Sequence, residues 1–196
     1  MNPMVSALRT YPWHDRRAYA DYLVQTHGYA SHSVPLLNHA RNFLGAEDHE
    51  LRERFKVHGT EETGHEELAR GDVKALGFSV TDFTERPETR ALWQPQYAWG
   101  EEDGATLLGY IVALERCAAE VCSHLFRVVS TAHGPKAARF LEVHAEVDCG
   151  HAEIAQAQID TLADARRRRA EQNARDTEAA YVAMIQALKR DHGEAR

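Results

Sequence analysis

Apolar residues return at every third or fourth position through most of this chain, and strict alternation never lasts more than a few residues. The repeat belongs to helices. It predicts one over about Trp13 to Gln25 and a second from Ser31 or Ser33, with Pro35 in its first turn, fading near Gly45. A long third helix is expected from about Glu47 to Ala75, with Gly77 as its stop. Residues 78 to 100 hold Pro87, Pro95 and Gly100 and read as a connecting segment with a short helix around Glu88 to Trp93. Long helices follow over about Asp103 to Thr131 and Pro135 to Ala165. The last, about Arg166 to Lys189, would dock a face made by Ala174, Tyr181, Val182, Ile185 and Leu188. Six or seven helices in a single all-α domain covering residues 1–196 is the expected architecture.

Three of these helices carry apolar stripes interrupted at the centre. The third reads Leu51, Phe55, His58, Glu62, His65, Ala69, Asp72, Leu76. The helix from Pro135 reads Ala137, Leu141, His144, Asp148, His151, Ala155, Gln158, Leu162. The helix from Asp103 reads Leu108, Ile111, Glu115, Ala118, Cys122, Leu125, Val129, with Glu115 its one charged side chain. An unpaired buried carboxylate is costly, so Glu115 must be neutral, paired or bound to a cation. An arginine such as Arg127 or Arg41 is one candidate partner.

The two ionisable triplets share a pattern. His58, Glu62, His65 and, 86 residues later, His144, Asp148, His151 both read His-x3-carboxylate-x2-His. Offsets of four and seven put the three side chains on one helix face. Histidine is 12 of 196 residues and Asp plus Glu 30, which sets the chance expectation. Roughly 0.1 such triplets would arise from that composition, so a repeated pair points to metal ligands rather than to two solvated faces. Three helices with ionisable middles and apolar ends describe a bundle with a metal-binding floor. Imidazole and carboxylate ligands suit iron and manganese, and also zinc or copper.

Composition narrows the rest. The formal net charge of −7 argues against a general affinity for nucleic acid, and no apolar run is long enough for a membrane span. A soluble, cytoplasmic protein is the expectation. Three cysteines, Cys117, Cys122 and Cys149, include no CxxC pair and read as small core residues. His32 could be a further ligand or substrate contact, while His39, His49, His124 and His133 read as structural or solvent-facing. Glu61 is expected to face solvent, about 100° around the helix from Glu62. Trp93, Tyr97 and Trp99 are candidates to cap a substrate pocket, although aromatic core is the commoner use. The run Arg166 to Arg169 reads as a solvated helix surface.

These residues resemble the haem-oxygenase-like dimetal oxidases, which share their helical fold with TenA and PqqC proteins. The resemblance spans roughly residues 15 to 165. Its matching pieces are Glu62-Thr63-Gly64-His65, the lone Glu115 at the end of Leu-Leu-Gly-Tyr-Ile-Val-Ala-Leu-Glu, and His144-x3-Asp148-x2-His151, the most specific part. It implies a haem-oxygenase-like bundle of about seven helices holding two irons that activate dioxygen, with manganese or another divalent metal as the alternative. The implied reactions on small amines, amino acids or fatty acids are N-oxygenation, desaturation or oxidative C–C cleavage. Glu62, His65 and His58 would hold one metal, His144, Asp148 and His151 the other, and Glu115 would bridge or complete the pair. Three carboxylates against two divalent ions leave a net positive centre, which would favour an anionic substrate group. A homodimer is also implied. The chain departs from many relatives in having His58 where they place a glutamate, and His27, His32 and His39 where they supply an early carboxylate.

Two other readings remain open on the residues alone. One is a TenA- or PqqC-like catalyst without a redox metal pair, using its histidines as acid and base groups. The other is a helical protein that binds metal without turnover.

Overall fold

The computed structural model describes residues 2–193, apart from the side chains of residues 146–149. Asn2 accepts a hydrogen bond from the Met4 amide at 2.9 Å, and Pro3 suits a first helical turn, so a short α1 (Pro3–Arg9) forms ahead of the first predicted helix. Asp15 caps α2 (Arg16–Ala30) by accepting from the Ala18 amide at 2.7 Å. Then come α3 (Ser33–Arg41), α4 (His49–Glu61), α5 (His65–Ala75), α6 (Pro87–Trp93), α7 (Pro95–Glu102), α8 (Leu107–His133), α9 (Arg139–Thr161) and α10 (Asp164–His192). No strand occurs among the described residues.

Taken as single bent rods, α4–α5 and α6–α7 join the other long helices to make seven rods beside α1, the expected bundle. The predicted third helix is not continuous. It breaks at Glu62–Gly64, where Gly64 takes a φ of 92°, a left-handed conformation that costs glycine nothing. The segment expected to connect the two halves of the chain is also more helical than its prolines suggest, because Pro87 and Pro95 each sit in a first turn.

The centre of the molecule is α8, packed along α9 and α10 and touched by α1, α3 and α7. Its predicted stripe is buried: Leu108, Ile111, Glu115, Cys122, Leu125 and Val129 all face the core. The crossing with α10 is close enough that a Cβ on Gly109 would lie 2.0 Å from the Ala170 carbonyl oxygen, so backbone meets backbone there.

A buried acid and an arginine fix the rods that carry the ionisable triplets. At its N-terminus α9 lacks a side-chain cap of its own. Asp72 of α5 supplies one, accepting from the Arg139 amide at 3.1 Å and the Phe140 amide at 2.9 Å. That bond pair ties α5 to α9. Arg166 departs from the expected solvated surface: it reaches Asp48 ahead of α4 at 2.8 Å and Asp103 after α7 at 2.7 Å, tying three rod ends together. None of the described helices is long and apolar enough to cross a membrane.

Candidate metal centre

The break between α4 and α5 lies inside the first triplet. His58 is in the last turn of α4, Glu62 caps its C-terminus and His65 is the first residue of α5. The left-handed turn at Gly64 redirects the chain while keeping all three side chains inward. Glu62 is placed between the two histidines: its Oε1 lies 3.5 Å from His58 Nε2 and its Oε2 lies 3.6 Å from His65 Nδ1.

Across from this turn, α8 presents Glu115, with Oε1 3.2 Å from His58 Nε2 and 3.6 Å from His151 Nδ1. Neither Arg127 nor Arg41 is the partner of Glu115; they bond Ser123 and Asn38 instead. Ligand atoms of His58, Glu62, Glu115 and His151 all lie within 4.8 Å of one another. His144 and His65 form a second imidazole pair, with ring centroids 4.9 Å apart, the same spacing as His58 and His151. The histidines therefore pair across the α4–α5 and α9 rods, one from each, rather than grouping along each rod as the sequence spacing suggests. The Asp148 side chain lies outside the described residues.

The outer nitrogens of two α9 imidazoles are committed. His144 donates from Nδ1 to the Phe140 carbonyl at 2.8 Å and stacks on the Phe140 ring, leaving Nε2 as its available lone pair. His151 turns Nε2 toward Glu61 Oε2 at 3.4 Å, and Arg54 donates to the same Glu61 oxygen at 2.8 Å. Glu61 thus backs the histidine rather than simply facing solvent. An orienting carboxylate behind a histidine is what metal sites use to fix tautomer and raise ligand basicity. The signal for it was faint in the sequence: Arg54 lies seven residues earlier, two turns back on the same face.

The histidines and carboxylates of the cluster shift one another's proton affinities. Burial opposes a positive His58, but Glu115 and Glu62 outweigh burial and hold its imidazole up at about 9. Burial likewise opposes the Glu62 anion, yet His58 and His65 bring its carboxyl well below the usual range. The Glu62 carboxylate beside it raises His65 against its burial. Glu115 is lowered, its desolvation overcome by His151 and His58. His144, by contrast, is pushed down by burial, with His65 adding repulsion, and stays a neutral donor of a lone pair. Carboxylates that gather this much positive charge are suited to cations. Glu115 Oε2, His65 Nδ1 and His151 Nδ1 are buried and find no hydrogen-bond partner among the described residues. Unpaired buried acceptors are costly and rare, and a metal would satisfy them. The residues fit a divalent transition metal.

A cavity of about 90 Å³ opens from His58, Glu62, Glu115 and His144 into the bundle, with α8 forming one wall. Trp93, Tyr97 and Trp99 are not among its walls. Trp93 instead stacks on His32 with centroids 3.5 Å apart, and His32 Nδ1 lies 3.1 Å from the Tyr97 hydroxyl. His32 is therefore engaged in aromatic packing and stands outside the group of ligand atoms. His27 and His39 face backbone carbonyls of Glu66 and Tyr97, so the early histidines do not take the place of an early carboxylate.

A family model described as an iron-containing redox enzyme matches residues 20–184, most of the chain. The chain belongs to that family. No curated protein sequence matches this iron-containing redox enzyme. Among solved structures, its fold is similar to a domain of unknown function with a heme oxygenase-like fold from Shewanella denitrificans. That pair has a TM-score of 0.83 at 17% identity, over 97% of this chain and 88% of the other. A TenA homolog from Pseudomonas syringae gives a TM-score of 0.79 at 13% identity, covering 96% of this chain and 88% of that one. A CADD-like protein of unknown function from Nostoc punctiforme gives 0.74 at 16%, covering 94% and 86%. At these identities the neighbours establish the heme oxygenase-like fold alone.

Proposed function

We propose that this iron-containing redox enzyme holds two irons and uses dioxygen to oxidise a small amine, amino acid or carboxylic acid. The observation that carries the reading is the placement of Glu62, whose two oxygens face two histidines of different pairs while Glu115 closes over one pair. One metal would lie among His58, Glu115 and His151, and the other between His65 and His144 with Asp148 near in sequence. Glu62, rather than Glu115, is the better candidate to bridge them.

Bound iron would supply the one-electron steps that dioxygen requires. The chain contributes the rest. Glu62 and Glu115 compensate the metal charge, and Glu61 with Arg54 holds the His151 ring in one orientation. The Phe140 carbonyl fixes the His144 tautomer, and the mainly apolar walls would disfavour water in the cavity. A largely apolar cavity beside the ligand cluster supports turnover over mere metal storage.

Anaerobic titration with Fe(II), followed by metal counting, should find two irons per chain, and air should then be consumed only by loaded protein. Glu115→Ala should bind less iron and consume no oxygen. Wild-type protein that takes up no iron, yet retains a hydrolytic or isomerising activity, would instead favour the metal-free TenA-like reading.

A further inference from the structure

The cavity beside the ligand cluster has an unusual wall. Leu36, Leu37, Leu107, Ile111 and Leu114 supply much of it, and among the described residues lining it none is lysine or arginine. Among the described residues its carboxylates are Glu62 and Glu115, both already engaged with histidines. A substrate bearing a separate ammonium or a second carboxylate would thus bring a charge into an apolar space whose described residues offer no free counter-ion, which is strongly unfavourable.

Beyond the ligand cluster, one fully buried polar group in the described wall is left over. Tyr110 is on α8, one turn before Leu114 and Glu115, and is only 4% exposed. Its hydroxyl is buried and has no hydrogen-bond partner among the described residues. Two of the other three cavity phenols differ: Tyr22 and Tyr181 share a hydrogen bond at 3.3 Å. Buried tyrosine hydroxyls nearly always find a partner, because leaving the donor unpaired forfeits its hydration. Tyr110 is also close enough to Glu62 for that carboxylate to oppose its ionisation, next to the larger effect of burial, so it remains a donor. A neutral, unpartnered phenol in the lining of a greasy cavity beside the ligand cluster is suited to serve as a recognition group.

We propose that the cavity takes a mainly apolar molecule presenting one hydrogen-bond-accepting group, that the Tyr110 hydroxyl donates to that group, and that zwitterionic amino acids are excluded. This narrows the substrate range of the proposed function and rests on that reading for the chemistry, but not for the binding.

The test compares hexanoate, its uncharged counterpart methyl pentanoate, and norleucine, which adds an ammonium to the hexanoate skeleton. Binding is measured by calorimetry on anaerobic iron-loaded protein and in parallel on metal-free protein. Hexanoate and methyl pentanoate should bind, and norleucine should bind at least about tenfold more weakly than hexanoate to the loaded form. Tyr110→Phe should weaken methyl pentanoate by roughly three- to tenfold, the range of one neutral hydrogen bond. It should also leave iron content unchanged and raise or preserve the melting temperature, since an unsatisfied hydroxyl is removed. A purely structural role for Tyr110 would lower the melting temperature and leave probe affinity alone. Norleucine binding as tightly as hexanoate, no binding by either singly polar probe, or affinity unaffected by Tyr110→Phe would each overturn the proposal. Failure to load iron, with probe binding intact in the metal-free protein, would count against the oxidase reading only.

Discussion

At the scale of single residues, the candidate centre depends on groups that serve the ligands as much as on the ligands themselves. Seven expected metal-binding residues follow from spacing, and six of them, His58, Glu62, His65, Glu115, His144 and His151, lie around one region of the bundle. Spacing gives no view of Glu61, because a residue 100° around a helix turns inward only if a neighbouring rod brings something to it. In the fold α9 brings His151 there. Replacing Glu61 by Gln should lower iron affinity by about 10–100-fold while the ligand set stays intact. Competition against a chromogenic chelator measures this directly, and an unchanged affinity would show that Arg54 and Glu61 form only a surface ion pair.

At the scale of elements, the turn between α4 and α5 is the feature that a periodicity argument overlooks. A regular helix from Glu47 to Ala75 would satisfy the same hydrophobic repeat, and the left-handed Gly64 is visible only once the chain has turned. Nothing lies within 4 Å of a Cβ built at Gly64, so substitution there tests conformation without a clash. Gly64→Ala should cost about 1–2 kcal/mol from the left-handed backbone, and thermal unfolding should fall by a few degrees per kcal/mol at this chain length. Iron binding should fall further than stability, because the turn aims both Glu62 and His65.

A second element-scale test concerns the anchor between α10 and the rods at Asp48 and Asp103. Arg166 is the main cause of a lowered Asp48 carboxyl, acting against its burial and with help from the Gly45 amide. A folded value below the unfolded one means the carboxylate contributes stability above about 3.8, and that this is lost as pH falls through the lowered folded value. Denaturant midpoints of wild type and Asp48→Asn should therefore differ near neutrality and converge as the pH drops below about 4.

At the scale of the whole molecule, the core and the ligand cluster are separable. The buried apolar core runs through α1, α2, α8 and α10 as well as the rods of the ligand cluster, so removal of metal should leave the bundle folded. Loading should then act as ligand binding to the native state alone, worth about 2.7 kcal/mol at a free iron concentration of a hundred times Kd. Melting should rise by roughly 5–10 °C on anaerobic loading, with far-ultraviolet helicity unchanged. A metal-free chain lacking helical signal would place the metal inside the folding reaction itself.

Helical periodicity, the repeated His-x3-carboxylate-x2-His, and a lone glutamate in an apolar stripe determined the fold class and most of the candidate ionisable cluster. All are local patterns, set by the 3.6-residue turn and by the cost of burying charge. Tertiary structure alone decided how the histidines pair, that Glu62 rather than Glu115 faces both pairs, that Arg166 is an anchor, and that His32 belongs to an aromatic stack. Those outcomes depend on which rods touch and at what height, and nothing local to one helix records the position of its neighbour.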